Sequence, residues 1–207
     1  MTEQEFPAYE RSLLLADDAE LAALAGHADQ RGWQRVVDQP GGFYRMAKVA
    51  WDAPDDLQVL YSEDSSLGAR FVSVCGPQDG PVAAVLAELA DVLPVVGEDE
   101  LLSELIADPR PEPQDTIDAL HQLMALHSIR LWQGRREAPD DRYRRVADLL
   151  ARHPHRMVRL ALLMVTGDLA RVRSEMVAPI LAHADEERDL ADQVDVFRKV
   201  VAEIPGA

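Results

Sequence analysis

Three similar phrases in the C-terminal half constrain the fold of this chain more than any other sequence feature. In each, an apolar stretch stops at a short polar joint, and the joint introduces a new apolar helical pattern. The phrases are Leu105-Ile106-Ala107-Asp108-Pro109, Leu150-Ala151-Arg152-His153-Pro154 and Leu181-Ala182-His183-Ala184-Asp185. Their spacings of 45 and 31 residues are typical of helical hairpins that bury apolar stripes against neighbouring hairpins. The pattern predicts a helical array over residues 114–204, which offers a surface for binding rather than a catalytic cleft.

The second phrase and the helix after it resemble a known family. From Arg152 to Leu162 a short polar joint is followed by a Val-Arg pair and by an alanine- and leucine-rich stripe. This segment resembles the joint and second helix of a HEAT repeat. The helical spacing predicts that Val158, Leu162 and Val165 form its buried face. The resemblance implies a stack that binds protein or nucleic acid, with no fixed activity. An irregular helical bundle is the alternative, because the other two phrases match less well.

The N-terminal half contains short apolar runs separated by turn residues, a pattern typical of β-strands. Apolar residues at three- and four-residue steps first predict a helix over residues 9–31. The predicted strands are Trp33–Val37, Phe43–Trp51, Leu57–Tyr61 and Ala69–Cys75. Their short connections favour an antiparallel meander, and a helix over residues 82–93 would cover it. We therefore predict an α+β protein in which a small antiparallel sheet with flanking helices precedes the helical array.

Three alternating prolines, at positions 109, 111 and 113, mark the predicted boundary between the two lobes. Proline prevents a helix there and makes the joint stiff and extended. The predicted domains are an α-β-β-β-α sandwich over residues 1–107, ending in a short helix, and a helical lobe over 114–204. Five helices are predicted in the second lobe: Gln114–Leu131, Asp141–Arg152, His155–Leu169, Ala170–Ala182 and Asp185–Ile204. Asp115 and Asp141 are candidate N-caps, and Pro179 should kink its helix.

The net charge of −16 is concentrated in the first half of the chain. Residues 1–100 contain 19 acidic side chains and 6 basic ones. Such a field repels nucleic acid and anionic membranes and attracts basic partners. The candidate docking patch comprises five acidic residues in two predicted turns: Asp52, Asp55, Asp56, Glu63 and Asp64. The alternative is a solvated rim that confers solubility. Trp51 and Tyr61 lie near these turns as possible anchors, although Trp51 fits the core better.

A locally basic stretch interrupts this acidity in the second half. Its candidate anion-binding residues recur at three-, four- and seven-residue steps: Arg142, Arg145, Arg152, Arg156 and Arg159. In HEAT-like proteins that bind DNA, such rows track phosphates. The other interpretation is pairing within the molecule, with Asp140, Asp141, Asp148 or the acidic first lobe. We favour pairing, because no aromatic residues are interleaved for base stacking and the whole chain is acidic.

The sequence contains no recognisable catalytic, cofactor-binding or metal-binding motif. Its six histidines do not form an HExxH pattern, and the single cysteine, Cys75, rules out a CxxC pair. Neither a G-x-S-x-G turn nor a Gly-rich phosphate loop is present. Asp118 and His121 are the one pair with the helical spacing of an orienting carboxylate and a general base, a spacing that many surface pairs share. We predict that the protein is not an enzyme and carries no cofactor.

Localisation and function follow as expectations. No run of 18 apolar residues exists, the first residues are acidic, and one cysteine allows no internal disulfide, so we expect a cytoplasmic bacterial protein. The expected function is non-catalytic binding of a basic protein, as an immunity or inhibitory protein does. One alternative is a HEAT-like nucleic-acid binder that uses the five arginines. The other is an acidic chaperone or assembly adaptor that binds a client along a sheet edge. The oligomeric state stays open.

Overall fold

Two compact units, Met1–Val96 and Gly97–Ala207, make up the protein in a computed structural model. The structure describes residues 8–16, 20–39, 47–64, 69–107, 112–132, 138–184 and 188–204. Over these residues it contains five strands and eight α-helices, so the protein is of mixed α+β class, as predicted. The division between the units comes before residues 98–107, a helix that the sequence had assigned to the first lobe. Pro109 and Pro111 of the predicted boundary lie outside the described residues.

The first unit contains one antiparallel sheet. Its strands are β1 (Tyr9–Leu15), β2 (Gln34–Gln39), β3 (Ala47–Ala53), β4 (Leu57–Asp64) and β5 (Ala69–Gly76). Their order across the sheet is β1-β5-β4-β3-β2. Strands β2 to β5 pair consecutively, which is the antiparallel meander that their short connections predict. The remaining strand, β1, closes the other side of the meander.

The segment at residues 9–15 is a strand, and the prediction of a helix there is wrong. β1 pairs with β5 in a register that places Leu13 opposite Val72 and Leu15 opposite Arg70. Leu14 and Leu15 are both buried although they point to opposite faces of the sheet. An apolar run with both faces buried has no period that separates a strand from a helix. The helical spacing belongs only to α1, which spans Leu21–Gln30.

Helices α1 and α2 (Asp79–Val92) contribute to the core of the first unit together with one face of the sheet. Alternating strand residues such as Trp51, Val59 and Val72 lie in this core. Leu24 of α1 and Leu89 of α2 pack into the same cluster. The core follows from the period of two along the strands and the three- to four-residue spacing along the helices.

The second unit is helical. Its helices are α3 (Glu98–Ala107), α4 (Pro113–Trp132), α5 (Asp141–Ala151), α6 (Arg156–Leu169), α7 (Val177–Ala184) and α8 (Ala191–Ala202). Short 3-10 turns at Ser174–Met176 and Arg188–Leu190 precede α7 and α8. Along the chain, α3 contacts α5 and α5 contacts α7, while α4 contacts α6 and α6 contacts α8. Consecutive pairs also touch, α3 with α4, α5 with α6 and α7 with α8.

Three local predictions for the second unit are wrong. The helix predicted over residues 170–182 is broken, because α7 begins only at Val177. Pro179 therefore lies in the first turn, where a backbone N–H has no partner within the helix, and it causes no kink. The N-cap of α5 is Asp140 rather than Asp141, since the backbone N–H of Arg142 donates to Asp140 Oδ1 at 2.9 Å.

Candidate functional site

A groove between α6 and α8 is large enough to accept part of a partner. Its volume is about 540 Å³. Residues of both helices line it: Leu160, Leu163, Met164, Gly167, Asp168, Asp192, Gln193, Val196, Phe197 and Val200. Most of these side chains are apolar, and the described lining residues include two carboxylates and no basic group. The groove therefore combines an apolar floor with negative charge.

The groove forms because α6 is apolar on more than its core-facing side. Val158, Leu162 and Val165 are buried, as the helical spacing predicts. Met157 and Met164 lie elsewhere on the helix and are exposed, Met164 to 68%. A helix that is apolar on several sides usually has partners on several sides. Of the two methionines, Met164 lines the groove, and it is the sequence signal for this site.

Helix α8 supplies the opposite wall. Phe197 is buried at the base of the groove, whereas Val196 is 60% exposed. A Cβ atom on Gly167 of α6 would lie 3.8 Å from Val200 Cγ1, which shows how closely the two helices approach there. The exposed side chain of Val196 therefore lies next to Phe197, which is already buried by packing within the unit. Such an exposed apolar patch with a polar rim is characteristic of interaction sites.

The five acidic residues of the predicted docking patch lie in two separate groups. Asp52, Asp55 and Asp56 are exposed at the end of β3 and in the turn before β4. Glu63 and Asp64 lie at the far end of β4, about 20 Å away along a strand of this length. Glu63 also pairs with Arg70 at 3.5 Å. The structure does not bring the five carboxylates together into one surface.

The turn between β3 and β4 has an unusual backbone. Asp55 and Asp56 both have positive φ angles, 63° and 56°. Aspartate tolerates this left-handed conformation better than most residues because its short side chain can bond locally. Both side chains are exposed in this turn, which joins β3 to β4 as a tight hairpin. Trp51 is buried in the core, as expected, and Tyr61 is buried as well, so neither is an exposed anchor.

The arginines of the second unit pair mainly with acidic neighbours of the same unit. Arg142 contacts Asp140 and Asp99, each at 2.6 Å, and Arg152 contacts Asp148. The hydrogen bond from Arg142, more than any other contact, lowers the pKa of Asp140. Arg156 and Arg159 approach Asp189 at 3.3 and 3.7 Å, and Arg145 is exposed. This is the internal pairing that the sequence favoured, with partners in the same unit rather than in the acidic lobe.

Both residues considered for catalysis, Asp118 and His121, lie on α4. Asp118 is exposed and accepts a hydrogen bond from Gln114 Nε2 at 2.7 Å, one turn earlier on α4. His121 is half-buried on the same helix. Within the described residues, no three His, Cys, Asp or Glu side chains are grouped as ligands of a metal ion would be. None of the described helices is both long and apolar enough to cross a membrane.

A buried polar network in the second unit has no counterpart in the sequence predictions. The hydroxyl of Tyr143 donates to Glu98 Oε1 at 2.6 Å and also contacts His127 Nε2. Arg173 Nη2 donates to the same Glu98 oxygen at 3.1 Å, and its guanidinium lies 4.2 Å from the Tyr143 ring centre. His127, Tyr143 and Arg173 are buried, and Glu98 is only 16% exposed. Residues this far apart in sequence carry no local signal of their contact.

The network joins segments distant in the chain. Arg173 Nη1 donates to the carbonyl oxygen of Ala138 at 2.8 Å, and Glu175 accepts from the backbone N–H of Asp140 at 3.0 Å. Arg173 thereby holds the start of α5 beside α3 and the 3-10 turn. Buried charges remain stable only when paired and hydrogen-bonded, and here each has partners. We assign the network a structural role, since its groups contact one another and hold backbone segments.

Comparison with known proteins leaves the groove as the main indication of function. The chain matches no protein-family model, no curated protein and no solved structure. The HEAT-like resemblance of residues 114–204 therefore stays a prediction. What the protein does has to be inferred from the chemistry of its own surface, and the α6–α8 groove is the surface with the clearest chemistry.

Proposed function

We propose that this protein is a non-catalytic binding module that takes up a basic protein partner and masks part of it, as immunity and inhibitory proteins do. The observation that carries the proposal is the α6–α8 groove, which is lined by exposed Met164 and Val196 together with two carboxylates. Apolar side chains supply the free energy of association when a partner removes them from water. Methionine suits such a surface because its unbranched side chain adapts to different shapes.

Charge supports the choice of a basic partner. The net charge is −16, and the groove residues Asp168 and Asp192 are both exposed. A field of one sign speeds the encounter with a partner of the opposite sign and disfavours acidic competitors. The arginines that could have attracted nucleic acid instead pair with Asp99, Asp140, Asp148 and Asp189. The pairing favours a protein over a nucleic acid.

The helix contacts of the second unit support a stacked-hairpin interpretation, with HEAT-like repeats as its specific form. Odd-numbered helices contact odd-numbered ones in chain order, and even-numbered helices do the same. Such stacks expose one layer of helices as an extended binding surface. The groove lies in the even-numbered layer, between α6 and α8.

A photo-crosslinking experiment in cells tests the proposed function. A photoreactive amino acid replaces Met164 in the groove, and a second chain carries it at Leu149. Leu149 is the matched control because it is an exposed apolar residue on α5 of the same unit, outside the groove lining. The expected result is a crosslink to one basic protein from position 164 but not from 149. The purified partner should then bind the unlabelled chain in a salt-dependent manner.

Three results would contradict the proposal. Equal crosslinking from both positions would mean that the groove is not a selective surface. A purified crosslinked protein whose affinity is unchanged by Met164→Glu would mean that the groove is not where binding occurs. Turnover of a substrate by the purified chain would also replace the binding function with a catalytic one.

A second candidate function, an assembly adaptor, rests on the edge strand β2. All six residues of β2 are exposed, including Val36 and Val37, and within the described sheet β2 pairs only with β3. An exposed sheet edge can accept a client segment as an additional strand. The register shift between Arg35 and Val37 opposes this, because a bulge protects an edge against pairing. Loss of client binding in Val36→Lys, with Met164→Glu unaffected, would favour this candidate.

A further inference from the structure

We infer that the occupant of the α6–α8 groove is a single amphipathic helix with two basic residues about one heptad apart and apolar residues between them. The inference rests on the proposed function and specifies the partner of the same site. Three features of the groove support it: the direction of its walls, the positions of its two carboxylates, and its charge relative to a second copy of this chain.

The walls of the groove are helical ridges, which favours a helix as the occupant. On α6, the lining residues Leu160, Met164 and Gly167 recur at steps of four and three residues. On α8, Gln193, Val196 and Val200 recur at the same steps. Two adjacent ridges of this kind accept a third helix whose own apolar side chains fit between them. An extended peptide would lack backbone partners here, because the backbone groups of both helices are bonded within each helix.

The two carboxylates define the spacing of the basic residues. Gly167 lies against Val200, so Asp168, the next residue on α6, is near the level of Val200 along the groove. Asp192 precedes Val200 by eight residues on α8, which corresponds to about 12 Å along the helix axis. Residues seven or eight positions apart on a bound helix are separated by about 10.5–12 Å and lie on one face. Lys or Arg at such positions can therefore reach both carboxylates at once.

Charge argues against a second copy of this chain as the occupant. A symmetric dimer through the groove would place the same patch of each chain against the other. Asp168 and Asp192 of one copy would then face the carboxylates of the next, without a basic group among the described lining residues. Like charges at such short range oppose association, and each chain carries a net charge of −16. A basic helix is attracted both by the groove carboxylates and by the negative net charge of the chain.

Three labelled synthetic peptides, mixed with the full chain, test the inference by fluorescence anisotropy at low salt. All three share an amphipathic helical sequence with two leucines on one face. The first has lysines seven residues apart that flank the leucines, the second has the same composition with lysines three residues apart, and the third has glutamates in place of the lysines. We expect the first peptide to bind up to about fivefold more tightly than the second, because it can form one exposed ion pair more. The third should bind more weakly than either.

Matched variants locate the effect. The double change Asp168→Asn with Asp192→Asn should remove the preference for the first peptide while the apolar contribution to binding remains. Asp195→Asn is the control, because Asp195 is an exposed carboxylate of α8 outside the groove lining and bonds to Arg198. It should leave the preference unchanged. Met164→Glu should weaken all three peptides at least tenfold, since it places charge on the apolar wall.

The outcomes separate this inference from the proposed function. Equal affinity for the first two peptides, abolished by Met164→Glu, would overturn the spacing while the binding function stands. Absence of binding by all peptides, with a basic protein still crosslinked at position 164, would overturn the helical occupant alone. A dimer in sedimentation that Met164→Glu dissociates would replace the basic helix by a second copy. If no peptide binds and no protein is crosslinked at position 164, the groove is not a binding site, and the proposed function fails as well.

Discussion

The interiors of the two units differ in chemistry: hydrophobic contacts characterise the first, and a buried ion pair is present in the second. In the first unit, Trp51, Val59 and Leu89 belong to a large cluster of buried hydrophobic side chains. In the second unit, a charged pair, Glu98 and Arg173, lies in the interior together with a histidine and a tyrosine. Apolar burial stabilises roughly in proportion to area, whereas a buried charge depends on keeping its specific partner. The units should therefore respond differently to substitution.

The largest expected effect is in the network of the second unit. Arg173→Met should lower the free energy of unfolding by about 3–5 kcal/mol, because Glu98 would stay buried without its cationic partner. Urea denaturation followed by circular dichroism measures the change. Arg171→Met is the control, since Arg171 is exposed, and should change stability by less than about 0.5 kcal/mol. A loss below about 1 kcal/mol for Arg173→Met would remove the proposed contrast between the units.

The next effect concerns a thiol of the first unit. Burial, with a smaller contribution from the charge of Glu10, raises the pKa of Cys75 from 9.0 to about 11. At pH 8 the folded chain should hold about 100-fold less thiolate than the unfolded chain, so alkylation by iodoacetamide should be slower to that degree. Because the folded pKa is the higher one, the associated stability is present below pH 9 and is lost as pH rises towards 11.

Mass spectrometry of alkylated samples at several pH values checks this. The rate for the folded chain should rise with pH without levelling below pH 10, and the rate in urea should level earlier. Cys75→Ser provides the unlabelled control. Equal rates for folded and unfolded chains at pH 8 would mean that the half-buried thiol, on the face of β5 opposite to Val74, is not shielded from water.

A smaller effect tests the packing of the first unit at one glycine. A Cβ on Gly76, at the end of β5, would overlap Leu57 Cδ2 and lie 3.3 Å from Val82 Cγ2. Gly76→Ala should therefore reduce stability by about 1–3 kcal/mol through overpacking. Gly26→Ala is a matched control in α1, where a Cβ meets nothing within 4 Å. That change should stabilise by up to about 1 kcal/mol, and the opposite order would indicate a loosely packed core.

The smallest predicted effect is in the turn between β3 and β4. Asp55 has a φ of 63°, which glycine adopts without steric strain. Asp55→Gly should raise the free energy of unfolding by about 0.5 kcal/mol, as measured by urea denaturation. Asp52→Gly, a change of an exposed aspartate within β3, should instead lower it by a similar amount. A loss of stability from Asp55→Gly would mean that its carboxylate contributes more than its backbone strain.

Local pattern predicted some elements well and others poorly. The strands around Leu57–Asp64 and Ala69–Gly76 could be predicted because turn residues delimit them and consecutive strands pair. β1 was missed because its pairing with β5 joins Leu13 to Val72 across the whole lobe. The sequence could predict that the arginines pair with carboxylates of the same chain, because Arg142 and Arg152 have acidic neighbours nearby in sequence. The network of Glu98, Tyr143 and Arg173 could not be predicted, because its members are far apart in sequence.

The same distinction applies to the candidate site. The sequence alone determined the apolar character of α6, including the exposed Met157 and Met164, and the net charge of −16. Only the tertiary structure decided that α8 would lie beside Met164, with Asp168 and Asp192 also lining the groove. Periodicity specifies which faces of a helix are apolar, because it depends on a few neighbouring residues. Which helix meets which face depends on the packing of the whole unit, and no short segment contains that information.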